Sequence, residues 1–204
     1  MKIKYISVLI IISVVVASIL YYNKCNLTKK QLLTKNAIFD IIEEVEDIVI
    51  SCITKSGNKS LSEENKLDFI IRYIIDNRQR YSSNIIKEES NSYYNKEENI
   101  LYGKIKEDYF KEILDEFFVY NYSIKEYKFY KDGFIELKSE PCENINWDEK
   151  ECIRIQEKGN VYYIYIKYIR KLNDIKNEFY VEYIFNVSDK IKIENVTIYN
   201  SIIS

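Results

Sequence analysis

The run VYYIYIKYIR, residues 161–170, entered from the turn tripeptide Lys158-Gly159-Asn160, decides the fold. In an extended chain Tyr162, Ile164, Ile166 and Tyr168 fall on one side, and Val161, Tyr163 and Tyr165 on the other. Aromatic and β-branched residues suit a pleated surface, so the run reads as a strand. Both of its sides are apolar enough to bury. That is expected of a central strand, covered by helices on one face and by a partner or a second copy on the other. Backward from the turn, Ile153 and Ile155 alternate with Arg154 and Gln156; forward of the run, Phe179 to Val187 and Ile191 to Ile198 read as two further strands. Earlier still, Tyr120 to Lys131 leads into the hairpin dipeptide Asp132-Gly133 and Phe134 to Leu137 returns from it, with Pro141 as a stop. The expectation is an antiparallel meander of five to six strands with short connections.

Upstream of Val119 the apolar period changes from two to 3.6. Leu32, Leu33, Ile38, Ile41, Ile42, Val45, Ile48, Val49 and Cys52 recur at three- and four-residue steps, which predicts a helix over Thr28 to Thr54, ended by Ser56-Gly57-Asn58. Ser60 and Glu63 have the spacing of a capping box ahead of a second stripe, Leu67, Ile70, Ile71, Ile74 and Ile75, that runs to about Arg78. Arg80 to Tyr102 is polar and rich in Ser, Asn and Glu. It reads as a long loop in which the apolar pairs Ile85-Ile86 and Ile100-Leu101 are the candidates for short strands. Gly103 closes it, and Ile105, Tyr109, Phe110, Ile113, Leu114, Phe117 and Phe118 predict a third helix. The chain is therefore expected to be α+β, with two or three helices packed on one face of the meander.

The start of the chain carries a different signal. Lys2 and Lys4 precede an uncharged apolar run, YISVLIIISVVVASILYY, from Tyr5 through Ile10, Val15 and Leu20 to Tyr22. As a helix, its eighteen residues would span roughly 27 Å, close to the hydrocarbon thickness of a bilayer and longer than the usual core of a signal peptide. Tyr5, Tyr21 and Tyr22 are rings of the kind that settle at the headgroup level. The run is read as a retained single-pass anchor over residues 1–24, followed by one extracytoplasmic domain over 25–204. A cleaved signal remains open, although no A-x-A site follows Ala17 and Ser18. Cys25 raises a lipid-anchored alternative, which the bulky, polar Tyr22-Asn23-Lys24 disfavours. Lysines on both flanks leave the orientation nearly balanced, and a short N-terminal tail favours N-in.

Beyond the anchor there is room for one ordinary domain. Setting aside Lys2, Lys4 and Lys24 leaves 27 basic against 32 acidic residues. That balance is no nucleic-acid signature, so a protein or cell-envelope component is the expected partner. Of the four cysteines, Cys25, Cys52, Cys142 and Cys152, an extracytoplasmic setting would permit disulfides, and Cys142 with Cys152 is the most plausible pair, bracketing the connection from Glu143 to Glu151. Unpaired thiols are the alternative. The chain has no histidine, which removes Ser-His and Cys-His nucleophile pairs and histidine metal ligands. No glycine-rich phosphate loop is present, and no cofactor is implied. Glu43, Glu44, Glu46 and Asp47, with Glu43 and Asp47 on one helical face, are the one carboxylate group that acid and base work could use. The plainer reading is a solvated helix face. Tyr162, Tyr163, Tyr165 and Tyr168 are the candidate interaction face, since tyrosine offers rigid amphipathic contact area; the plainer reading is a wide core with the tyrosine tips in water.

The segments YFKEILDEFF, YKDGFIELKSEP, WDEKECIRIQEKGNVYYIYIKYIR and FYVEYIFNVSDKIKIENV, spanning Tyr109 to Val196, follow one another as a helix and then a meander. In pattern and order this resembles the NTF2-like or cystatin-like class of extracytoplasmic domains, and within it the secreted IseA-type inhibitors of cell-wall endopeptidases. The resemblance implies a non-catalytic binding domain with a cell-wall hydrolase as one partner. This chain differs in its anchor and its longer helical front, and no functional residue carries over. An oligomeric scaffold subunit of an envelope-spanning assembly is the alternative, and a carboxylate enzyme a distant third.

Overall fold

A computed structural model describes residues 30–86, 100–139, 147–172 and 175–199. The expected anchor from Tyr5 to Tyr22, and with it Ile10, Val15 and Leu20, lies outside the described residues, as do Cys25 and Cys142. Among the described residues no helix is long and apolar enough to cross a membrane. The chain divides into two units, 1–43 and 44–204. In the first, helix α1 begins; it covers 30–55 in all, matching the helix expected to end at Thr54. Its Leu32 and Leu33 are exposed.

The second unit is α+β, as the change of period implies. Helix α2 (Glu63–Asp76) is followed by the short α3 (Arg78–Tyr81) and strand β1 (Ile85–Ile86). Strand β2 (Ile100–Lys106) leads directly into helix α4 (Glu107–Phe117). Then come β3 (Tyr130–Lys131), β4 (Phe134–Ser139), β5 (Glu149–Lys158), β6 (Val161–Leu172), β7 (Ile175–Val187) and β8 (Ile191–Tyr199). The two apolar pairs picked out in the Arg80 to Tyr102 loop are β1 and the start of β2.

These strands form two sheets where a single meander was expected. β5 to β8 are a four-stranded antiparallel meander in sequence order, while β4 leaves that series and pairs with β2 in a second sheet ordered β1-β2-β4-β3. The strand expected from Tyr120 to Lys131 shrinks to its last two residues. Ile124 and Tyr127, the buried residues of that stretch, are three apart, and burying both takes a 3-10 turn at Ile124–Glu126. The hairpin at Asp132-Gly133 forms as expected, with φ of 50° and 83°, the double left-handed geometry of a tight antiparallel turn.

Helix α2 is the centre of this unit. It buries Leu67, Phe69, Ile70, Ile71, Tyr73, Ile74 and Ile75, which occupy more than one stripe, as a helix enclosed on several sides requires. Phe69 packs edge-on to Phe117 and Phe118 at the end of α4, and Tyr73 edge-on to Phe117. Its N-terminus is set two residues later than the Ser60–Glu63 spacing predicts. Ser62 is the N-cap and Asn65 completes the capping box, because buried Asn65 also donates to the Cys52 carbonyl at the end of α1, 3.3 Å away. A glutamate at that inner position could accept the cap hydrogen bond but could not donate one.

Candidate interaction face

The meander has one closed face and one open one. On β6 the burial alternates: Tyr162, Ile164, Ile166 and Tyr168 are buried, while Val161, Tyr163, Tyr165 and Lys167 are half-exposed. The four candidate tyrosines therefore separate. Tyr162 and Tyr168, 4% and 0% exposed, belong to the core and are corrected out of the interaction face; Tyr163 and Tyr165 remain on it. Within the chain one side of β6 is therefore buried and the other half-exposed, the side on which a partner or second copy was expected.

Tyr168 shows why its side closed. It lies 4.9 Å from Trp147 and stacks on Phe179 at 5.6 Å, ring centre to ring centre. Its hydroxyl donates to Glu46 Oε2 at 2.7 Å and lies 3.0 Å from the Tyr183 hydroxyl. Burial, together with the Glu46 charge, drives the Tyr168 phenol far above its ordinary range; burial does the same to Tyr183. Lys150 Nζ reaches Glu46 Oε1 at 3.1 Å, and Trp147 Nε1 donates to Asp47 Oδ1 at the same distance. Tyr73 donates to Glu44. Glu44, Glu46 and Asp47 are thus the polar fastenings of α1; Glu43, Glu44 and Asp47 are exposed, as a solvated face requires, and Glu46, its side chain only 12% exposed, is the one withdrawn from water. Tyr73 and Trp147 orient Glu44 and Asp47 as neutral donors, and the Lys150 cation neutralises Glu46, a structural use of these carboxylates.

The open face is assembled by register. Arg154 and Gln156 of β5 lie opposite Tyr165 and Tyr163 of β6; across the other side of β6, Tyr163, Tyr165 and Lys167 meet Ile184, Glu182 and Tyr180 of β7. Thr197 and Tyr199 of β8 continue the same surface opposite Glu182 and Tyr180. Cations lie over the rings: Arg154 Cζ is 4.1 Å from the centre of Tyr165, and Lys158 Nζ is 5.1 Å from that of Tyr163. Such contacts contribute about 0.5–1 kcal/mol each at exposed sites and hold the rings in place. Glu182 accepts from Tyr199 at 3.0 Å and from Tyr165, and burial with the nearby carboxylate raises both phenols. Lys167 pairs with Glu178 at 3.0 Å. The face is a tyrosine layer whose charged neighbours are largely paired within the sheet.

Sequence reading found the centre of this layer and missed its rim. Arg154, Lys158, Tyr180, Glu182 and Tyr199 lie on three different strands, β5, β7 and β8, and only the cross-strand register brings them together. Lys158 beside the Gly159-Asn160 turn was the one legible signal, because a two-residue hairpin fixes Lys158 opposite Val161. Cys152 stands exposed on β5, its thiol pushed up by local burial, and its expected partner Cys142 lies outside the described residues. Comparison with protein-family models, with curated proteins and with solved structures finds no match, so the chemistry of the face itself carries the functional reading.

Proposed function

We propose that this chain is a single-pass, membrane-anchored extracytoplasmic domain that binds a protein or cell-envelope partner through the open face of β5 to β8, without catalysis. The observation that carries the reading is the half-exposed layer of Tyr163, Tyr165, Tyr180 and Tyr199, fixed by Arg154, Lys158 and Glu182. Rigid aromatic rings with paired charges around them lose little entropy on binding and need little desolvation of unpaired charge. That composition is characteristic of binding hot spots. The apolar run from Tyr5 to Tyr22 supports the anchor, and the resemblance to endopeptidase inhibitors makes a cell-wall hydrolase one partner to test.

The test is site-specific photocrosslinking in cells, with the photoreactive residue placed at Tyr163 or Tyr165 and, as a buried control, at Tyr168. One discrete adduct from the first two positions and none from the third is expected. Replacing Tyr163 and Tyr165 together by Ser should weaken binding of the captured partner about 10- to 100-fold while leaving circular dichroism unchanged. Equal labelling at all three positions, or binding indifferent to the double substitution, refutes the face as the site.

A further inference from the structure

The meander also has an edge. β5 pairs with β6 on one side, and among the described residues no strand pairs with its other side. Nine of its ten residues are exposed, including Ile153 at 42%. An edge of this length is a ready template for another strand unless its side chains forbid pairing. The side chains here are selective instead. Written out, β5 is Glu149, Lys150, Glu151, Cys152, Ile153, Arg154, Ile155, Gln156, Glu157, Lys158.

Laid antiparallel against a second copy of itself with Ile153 opposite Arg154, the strand sets Glu149 opposite Lys158, Lys150 opposite Glu157, Glu151 opposite Gln156 and Cys152 opposite Ile155. By two-fold symmetry each pair occurs twice, giving four pairs of opposite charge, in two of which Lys150 is shared with Glu46 and Glu157 with the Tyr162 hydroxyl. Shifting by one residue in either direction destroys the match: one shift sets Glu149 against Glu157, the other Lys150 against Lys158 and Glu151 against Glu157. Directly opposed opposite charges stabilise a ladder and like charges oppose it.

Side-chain direction supplies a second, independent agreement. In a regular strand, residues paired about a two-fold axis must be an even number apart, since an odd separation sets side chains of opposite faces against each other. The complementary register pairs residues an odd number apart. β5 carries an irregularity in its ladder between Cys152 and Arg154, at the centre of that register. The extra residue shifts the alternation by one across the strand. As a result, Lys150, Cys152, Ile155 and Glu157 lie opposite Tyr168, Ile166, Ile164 and Tyr162, the buried row of β6, while Glu151, Arg154, Gln156 and Lys158 lie opposite its half-exposed row. Every complementary pair on either side of the centre then shares a face.

We infer that the chain forms a symmetric homodimer by antiparallel pairing of β5 with β5 of a second copy, joining two meanders into one eight-stranded sheet. The two-fold axis runs perpendicular to the sheet, so both open tyrosine faces lie on the same side and make one continuous surface. This inference does not rest on the partner reading above, because it concerns the edge and a second copy of the chain itself.

Sedimentation equilibrium of the full chain in detergent tests it, with Glu149→Lys, Lys158→Glu, the double exchange of the two, and Ile153→Lys. The wild type should be dimeric. Each single charge reversal sets like charges together twice and should raise the dissociation constant at least about tenfold, and the double exchange should restore dimerisation. Ile153→Lys, at an exposed position, should leave the fold intact and the chain monomeric by placing lysine opposite Arg154. Hydrogen exchange supplies a second readout, with β5 amides protected more strongly as protein concentration rises. A monomeric wild type, or a dimer that persists through both single reversals, overturns the proposal. So does a double exchange that stays monomeric with native circular dichroism.

Discussion

At the residue scale, Gly103 shows how one position fixes how two strands meet. It sits inside β2 with φ of 140°, in the ladder irregularity between Leu101 and Lys104, where β1 pairs alongside. A Cβ there would come within 2.8 Å of both Ile85 Cγ2 and the Ile86 carbonyl oxygen. A side chain tip can turn away, but the backbone carbonyl of a paired strand moves far less easily. Gly103→Ala is therefore expected to destabilise by about 2–4 kcal/mol, combining disfavoured backbone with overpacking. Gly57, also left-handed at φ 71° but with nothing within 4 Å of an added Cβ, provides the comparison, and its Ala variant should cost only about 1–2 kcal/mol. Urea denaturation of both variants checks the difference, and equal losses would remove the steric part of the argument. The sequence placed Gly103 at a boundary. Composition does mark a glycine, but it cannot show the neighbouring backbone that makes it irreplaceable.

At the scale of elements, the legible parts were those with a strong local period. α1, α2, α4 and the β5 to β8 meander all follow from apolar spacing, and the DG hairpin from its own turn chemistry. What stayed hidden was set by contacts remote in sequence. β2 and β4 pair across α4, and the buried face of β6 could be told from its open face only once Glu46 of α1 had bonded to Tyr168 on it. The junction of α1 and α2 illustrates the same limit. Asn65 Oδ1 accepts from the Ser62 backbone N–H at 3.2 Å and its hydroxyl at 2.8 Å, and the Ser62 hydroxyl in turn accepts from the Asn65 N–H at 3.1 Å. Ser62→Ala removes an ordinary cap and should cost about 1 kcal/mol. Asn65→Ala also removes its bond to the Cys52 carbonyl, which keeps the Ser56 N–H as a donor, and should cost about 1–2 kcal/mol. Chemical denaturation of the two single variants and the double should show a double-variant loss well below the sum, since one network is broken twice. Strict additivity would mean that the two helices are joined by something else.

At the scale of the whole molecule, the tyrosines link the fold to pH. The chain has twenty. Tyr127, Tyr168, Tyr183 and Tyr73 are all raised beyond the ordinary phenol range, with burial the largest cause in each; nearby carboxylates add to it, Asp68 for Tyr127 and Glu44 for Tyr73. Tyr127 donates to Asp68 Oδ1 at 2.5 Å, so its ionisation would set two negative oxygens together. In the unfolded chain these phenols would titrate near 10. A group that holds its proton more tightly folded than unfolded contributes its full stabilisation below the unfolded value. That contribution falls away as pH rises past it. The fold is thus expected to be indifferent to tyrosine titration at neutral pH and to lose stability steeply above about pH 10, as several buried phenols couple to one opening event. Ultraviolet titration of phenolate, run beside far-ultraviolet circular dichroism, should give two stages: exposed rings ionise with the fold intact, then the buried set ionises together with loss of secondary structure. Tyr168→Phe deletes one of the coupled protons but leaves Glu46 with Lys150 as its remaining partner, so it should lower stability at neutral pH and make its fall above pH 10 less steep. If all the tyrosines ionised in one smooth stage with circular dichroism unchanged, the buried phenols would have to reach solvent without unfolding, and the closed face of the meander would not be closed.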